Sequence, residues 1–167
     1  MANNYAVVNT DLMSATDDRS RMRSFRYGTW DATKKELTGK EVQNGSIVAL
    51  NKEMLDRDLW VAVDPTASTP IEELVLVTTP ELLYDERLKS LHDFTNEADV
   101  NATGMLMKTG DVFSVTVEGF DTTPKLGDKI TAQAGTMLKV GGTGTQIGTV
   151  VDIWVHNREL YYAVLVG

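Results

Sequence analysis

Short apolar runs bounded by turn residues dominate the chain from about residue 45 onward. Ile47 to Leu50, Leu59 to Val63 and Glu73 to Thr78 are rich in β-branched side chains and are delimited by an Asn-Gly pair or by proline. From Val112 to Glu118 the sequence VFSVTVE alternates between two sets of positions, which is the period of a strand with one buried face. These patterns predict strands.

The C-terminal runs follow one another at short intervals. Glycine, aspartate and asparagine turns separate them, including two turns of like sequence at 108–111 and 125–128. Short strands joined by such turns are typical of a small antiparallel barrel or sandwich rather than of βαβ units. The predicted strands here are MLM, VFSVTVE, KIT, TMLKV, IGTVVDIWV and LYYAVLV, with a hairpin at His156 to Glu159 joining the last two.

One segment departs from the β pattern. In TTPELLYDERLKSLHDF, Thr79 can cap a helix with Pro80 in its first position, and Leu82, Leu88 and Leu91 recur at roughly helical spacing. The sequence therefore predicts one short helix near residues 80–91.

Residues 1–30 have a different composition from the rest. Two aspartates are followed by arginines interleaved with methionine and aromatic residues, a mixture typical of protein interface cores. The pattern allows a short helix or an extended segment, and it also fits an ordinary solvated segment. Interpreted as an adhesive arm that lies on a partner's acidic surface, it supplies the candidate contact residues Tyr5, Arg19, Arg21, Arg23, Phe25, Arg26, Tyr27 and Trp30.

We therefore expect a mainly β protein built from antiparallel β-barrel or sandwich subdomains, with one short helix and an extended N-terminal arm. The predicted parts are the arm over residues 1–30, an N-terminal β-unit over 31–98 that includes the helix, and a small C-terminal β-barrel over 99–167.

Composition and charge exclude several function classes. The formal net charge of −8 argues against general affinity for nucleic acid or an anionic membrane surface. Cysteine is absent, which removes disulfides, thiolate zinc sites and cysteine nucleophiles. No apolar run approaches the roughly 18 residues of a membrane span, and the start lacks the pattern of a secretory signal. We expect a protein that is made in the cytoplasm.

The glycine-rich stretch VGGTGTQIGTV, from Val140 to Val150, is the nearest approach to a nucleotide-binding loop. Gly148 comes one residue late for the dinucleotide fingerprint, and no lysine follows it as in a P-loop. A β-branched run stands where the phosphate-binding helix would have to begin. We interpret the stretch as a connection between strands whose glycines reach positive φ.

No residue pattern selects a catalytic or metal site. His92 precedes an acidic run over residues 93–99, which we interpret as a solvated linker, and His156 falls in the predicted hairpin turn. We expect no catalytic residues, no cofactor and no metal.

Three stretches together carry a family resemblance: YDERLKSLHDFTNEA, GMLMKTGDVFSVTVEGF and IGTVVDIWVHNRELYYAVLV. They resemble head proteins of tailed bacteriophages that infect Gram-positive bacteria, in particular the small auxiliary or decoration proteins. The likeness covers about residues 80–167, with a weaker likeness in ANNYAVVNTD and NGSIVALNKE. It carries over no functional residues, so the contact residues of the arm rest on composition alone.

The resemblance implies a virion structural protein without an enzymatic step. Such a protein binds the major capsid protein on the outside of the assembled head and strengthens it against internal DNA pressure, with many weak contacts adding up. A homotrimer is one expected form, because capsid lattices offer threefold sites. The alternative is a β-rich recognition module that binds host-surface glycans in a groove lined by Trp30, Trp60 or Trp154.

Overall fold

The computed structural model describes Ala6, residues 21–80 and residues 94–167. Within these ranges the protein is mainly β, which confirms the predicted class, and its helical segments there are short 3-10 turns at Ile71–Glu73 and Val117–Gly119. The helix predicted near residues 80–91 lies, apart from Pro80, outside the described residues. The strands are β1 (Met22–Asp31), β2 (Glu36–Gly39), β3 (Ile47–Asp56), β4 (Leu59–Val63), β5 (Leu74–Val77), β6 (Ala102–Leu106), β7 (Val112–Thr116), β8 (Lys129–Ala132), β9 (Lys139–Val140), β10 (Thr145–His156) and β11 (Glu159–Val166).

Five strands of the N-terminal part close into a barrel. They pair in the order β1, β4, β3, β5, β6, and β6 pairs back onto β1. The β1–β4 pair is parallel and the other pairs are antiparallel. Only the first part of β1 belongs to this ring, because the stretch from Gly28 to Asp31 leaves it and forms a hairpin with β2. Closure satisfies backbone groups that an open sheet would leave unpaired at its edges.

Apolar side chains at alternate strand positions fill the barrel. Phe25 on β1 is 0% exposed, and it packs against β6 at a position that carries no side chain. A Cβ at Gly104 would lie 3.1 Å from the Phe25 ring and 2.6 Å from the carbonyl oxygen of Leu76, so glycine at this position makes room for the ring. The buried apolar residues that form the core inside the barrel are Phe25, Tyr27, Val42, Val48, Ala62, Val75, Val77 and Ala102.

The C-terminal strands form an open antiparallel sheet that packs on the outside of the barrel. Its order is β7-β11-β10-β8-β9. One continuous core lies between the two units, and it combines Ile47, Leu74 and Leu76 of the barrel with Ile130, Ile147 and other residues of the sheet. Ala6 is 3% exposed in this same core. The two units therefore share their largest apolar interior.

This arrangement differs from the predicted division at residue 99. β6 belongs to the first unit, and the next strand, β7, begins the second sheet. The closed barrel is also N-terminal, whereas the part predicted as a small barrel is an open sheet. The reason is that β6 completes the barrel by pairing with β1 and β5. These partners are distant in sequence, so local sequence patterns could not predict the pairing.

The prediction of an N-terminal arm is wrong over the last residues of that segment, which form strand β1. Residues 22–30 are part of the barrel and its hairpin rather than a free extension. Phe25 and Tyr27 alternate with Ser24 and Arg26, so the apolar side chains point inward and the polar ones outward. Of the remaining arm positions, residues 1–5 and 7–20 lie outside the described residues.

The glycine-rich stretch is a strand connection, as predicted, only over Gly141 to Gly144, because Thr145 to Val150 already belong to β10. It runs from β9 to β10, which lie on opposite sides of β8. Its glycines are needed mainly for close approach: Gly141 has a positive φ of 66°, but a Cβ at Gly144 would collide with the carbonyl oxygen of Ala132 on β8. The idea that several of these glycines reach positive φ is therefore wrong.

Candidate binding site at the mouth of the barrel

The predicted contact residues lie in several different environments. Phe25 and Tyr27 are only 0% and 7% exposed, so neither is available to a partner of the folded protein. This corrects their assignment as contact residues, and the cause is the inward alternation of β1. Tyr5 and Arg19 lie outside the described residues.

Tyr27 uses its hydroxyl inside the protein. The hydroxyl donates a hydrogen bond to Oδ1 of Asp64 at 2.6 Å, and Nζ of Lys40 lies 3.7 Å from the other carboxylate oxygen. Burial, followed by the contact with the Asp64 carboxylate, raises the pKa of Tyr27 above its usual range. This group ties β1 to the chain that follows β4.

Arg21 holds the two units together. Its guanidinium forms a two-pronged ion pair with the carboxylate of Asp111, and Nη2 also donates to the carbonyl oxygen of Leu106 at 2.7 Å. The two side chains are 15% and 23% exposed. Asp111 accepts a further hydrogen bond from the backbone N–H of Lys108, which fixes the turn before β7. Arg21 thus links the start of β1 to the start of the second sheet.

Arg26 and Trp30 lie on the outside of β1. Nε of Arg26 donates to Oδ1 of Asn101 at 2.7 Å in an exposed contact. Trp30 is half-buried in the β1–β2 hairpin, opposite Leu37. These two residues are accessible, but they are separated from each other along the strand and do not form one surface with the buried members of the set.

Arg23 and Trp60 meet at one end of the barrel. The parallel register places Trp60 on β4 beside Phe25, and the Trp60 side chain packs against the barrel interior. Together with Arg23 it lines two adjoining depressions with volumes of about 360 and 210 Å³. The other residues around these depressions are Met22, Ser24 and Asp58 on one side, and Leu50, Asn51, Lys52, Glu72, Glu73 and Leu106 on the other.

The cleft combines an aromatic and aliphatic floor with a charged rim. Nη1 of Arg23 donates to the carbonyl oxygen of Met22 at 2.8 Å, which directs the side chain along β1. Nζ of Lys52 lies 4.0 Å from a Glu73 carboxylate oxygen in an exposed pair that contributes little to stability. An open depression of this kind can accept a flat or apolar group against Trp60 and polar groups at its rim.

Sequence reasoning did not find this cleft. Of its lining residues, the predicted contact set contains Arg23 alone, and Trp60 entered only as one of three tryptophans in an expected groove. Those tryptophans lie apart: Trp30 in the β1–β2 hairpin, Trp60 at the barrel mouth and Trp154 on β10. The available sequence signal was the position of Trp60 near the start of the LWVAV strand, where a large aromatic ring lies next to a polar turn.

The described residues offer no metal-binding cluster and no helix that could span a membrane. Over Ala6, 21–80 and 94–167, no group of three or more histidine, aspartate or glutamate side chains is placed to hold a metal ion. In the same ranges, no helix has the length and apolar character that crossing a bilayer would require.

Comparisons of the chain with protein-family models, with curated proteins and with solved structures found no match.

Proposed function

We propose that the protein is a non-enzymatic virion structural protein that binds the major capsid protein on the outside of a tailed-phage head and stabilises the head. The likeness to decoration proteins supports the choice of partner. The observation that carries the binding role is the Arg23–Trp60 cleft, because it gathers partly exposed side chains of types common in interfaces at one end of a closed barrel.

The residue types of the cleft suit a protein partner. Tryptophan and arginine are the side chains most enriched at energetic hot spots of interfaces, and Met22 adds an adaptable apolar surface beside them. A partner group that inserts between Arg23 and Trp60 would be desolvated by the neighbouring aliphatic residues. Single contacts of this kind are modest, and the number of copies on a capsid multiplies their effect.

The shared core supports the proposed role in strengthening the capsid. The barrel and the second sheet are joined by continuous apolar packing and by the Arg21–Asp111 ion pair. A force applied at the cleft is therefore transmitted through this packing to both units of the protein. Truncation at residue 30 would remove β1 and open the barrel, so binding is better tested with point substitutions.

The experiment is co-sedimentation with capsids that lack the protein. The wild type should bind, whereas Trp60→Ala and Arg23→Glu should each weaken binding by about thirtyfold, the effect of losing a hot spot of about 2 kcal/mol. Lys34→Glu is the charge-matched control, because Lys34 is exposed in the β1–β2 turn and is not among the residues that line the cleft. Trp30→Ala is the matched aromatic control.

The outcomes separate the cleft from other surfaces. Thermal unfolding of each variant shows whether the barrel is intact, since Trp60 also packs on the interior. Loss of binding in Trp30→Ala, with full binding in folded Trp60→Ala, would move the contact to the hairpin and reject the cleft. A wild-type protein that does not co-sediment would reject capsid binding itself.

Glycan recognition is the second candidate, and the same cleft favours it. Trp60 is half-buried beside Asp58, Asn51 and Glu73, and a sugar ring can stack on an indole while carboxylates and an amide bind its hydroxyls. A glycan array would give hits that depend on Trp60 if this were the function. An array without hits, together with capsid binding, would reject it.

A further inference from the structure

The β10–β11 hairpin extends beyond the strands that flank it. β8 pairs with β10 only between Thr145 and Thr149. The next residue, Val150, exchanges backbone hydrogen bonds with Gly127 and Asp128. From Val151 to the turn at His156, no backbone partner on this side of β10 is found among the described residues. The hairpin therefore presents an open strand edge.

The register of the hairpin shows which backbone groups face this edge. His156 pairs with Glu159 across a two-residue turn, so hydrogen-bonded and non-hydrogen-bonded pairs alternate from there along the strands. By this alternation Ile153 and Val155 direct their N–H and C=O groups away from β11. The N–H of Ile153 donates to Oδ1 of the adjacent Asp152 at 2.8 Å, a local side-chain contact that pairing with another strand would replace.

The same edge is apolar and accessible. Val151, Ile153 and Val155 are 44%, 36% and 66% exposed, and Leu160 across the hairpin is 42% exposed. Natural edge strands are usually protected by lysine, proline or a covering loop, and this stretch of β10 contains neither lysine nor proline. The bulge of β10 lies at Val151, where the open part begins. An edge of this kind favours pairing with another strand.

We propose that β10 pairs antiparallel with β10 of a second copy of this chain, about a twofold axis at Trp154. In this register Ile153 lies opposite Val155 of the second copy, and the outward backbone groups of each pair exchange hydrogen bonds. The partner is a second copy because the edge is complementary to itself: Asp152 falls opposite His156 of the other chain. Shifting the register by one pair would put Asp152 opposite Trp154 and lose this complementarity.

Charge and aromatic packing support the same pairing. Each copy has a formal net charge of −8, which opposes self-association over most of the surface. The hairpin tip is nearly balanced, with Arg158 beside Glu159 and with His156 available to pair with Asp152. Trp154 stacks on Tyr161 with ring centroids 5.2 Å apart, so two ordered indoles would meet at the axis.

The first test is the association state of the full chain by sedimentation velocity over a range of concentrations. We expect a concentration-dependent dimer, and Val155→Lys should raise its dissociation constant at least about tenfold. Val100→Lys is the control, because Val100 is 51% exposed on the other unit. A monomer at all concentrations, a trimer, or equal association of the wild type and Val155→Lys would overturn the proposal.

Two further variants test the register. His156→Asp alone should weaken the dimer by placing like charges opposite each other, and adding Asp152→His should restore it. Because the chain has no cysteine, Trp154→Cys can be oxidised without background, and the positions at the axis are close enough for a disulfide. Failure of the double exchange to restore the dimer, or absence of a cross-link in a folded Trp154→Cys protein, would reject this register.

Discussion

Replacing Phe25 with alanine distinguishes a structural strand from an adhesive arm. Phe25 is 0% exposed, and its ring occupies the barrel interior above Gly104. A buried Phe→Ala change costs about 3–5 kcal/mol, because apolar contact is lost and a cavity is left in a closed barrel that can collapse only in part. If residues up to 30 were an exposed arm, the same change would fall within about 0.5 kcal/mol of zero.

The assay is urea unfolding followed by circular dichroism. With a slope near 2 kcal/mol per M, the expected loss lowers the midpoint by about 1.5–2.5 M. Ser24→Ala is the matched control, since Ser24 is the exposed neighbour on the same strand and should leave the midpoint nearly unchanged. Equal midpoints for Phe25→Ala and Ser24→Ala would refute the barrel assignment of β1 and restore the arm.

Three further predictions follow from the contacts of the described residues. Alanine substitutions of Arg21 and Asp111, made singly and together, should show a coupling free energy of about 1–3 kcal/mol in urea unfolding, because the ion pair is mostly buried. Additive effects of the two substitutions would contradict the Arg21–Asp111 link between the two units. The raised pKa of Tyr27 contributes stability that is complete below about pH 10 and is lost as pH rises above it, by up to about 1.4 kcal/mol per pH unit. The thermal unfolding midpoint of Tyr27→Phe should therefore fall less steeply above pH 10 than that of the wild type, and parallel curves would contradict the burial of the Tyr27 hydroxyl and its contact with Asp64. Arg158 has a φ of 70° in the turn of the β10–β11 hairpin, so Arg158→Gly should raise stability by about 0.5–1 kcal/mol in urea unfolding, and a loss would contradict the turn.

The strands could be predicted from sequence because their signal is local. LWVAV matches β4 residue for residue, and the hairpin at His156 to Glu159 appears where the turn residues indicate it. The turns at Lys108 and Lys125 also share one geometry, in which the aspartate side chain accepts from the lysine N–H and a glycine has positive φ. Turn chemistry of this kind depends on neighbours in sequence.

The location of β1 was missed because charge obscured its pattern. Arginines at 21, 23 and 26 gave the segment the composition of a surface arm, although Phe25 and Tyr27 alternate with polar residues as a half-buried strand requires. Burial of Phe25 depends on partners at Trp60 and Ala102, which are far away in sequence.

The candidate cleft could not be predicted for the same reason. Its floor combines Leu50, Trp60 and Leu106 from three strands, and only the closed pairing of the barrel brings them together. The open strand edge of β10 can likewise be recognised only when the lengths of the neighbouring strands are known. Sequence predicted the kind of fold, while the sites depend on which strands are neighbours.

The most direct measurement of the proposed function is whether purified tailed-phage virions contain this chain. Quantitative mass spectrometry should find the protein in many copies, in a fixed ratio to the major capsid protein, and an antibody should label it on the outside of intact heads. Absence from virions, or labelling only after the heads are opened, would contradict the proposal that it decorates and stabilises the capsid.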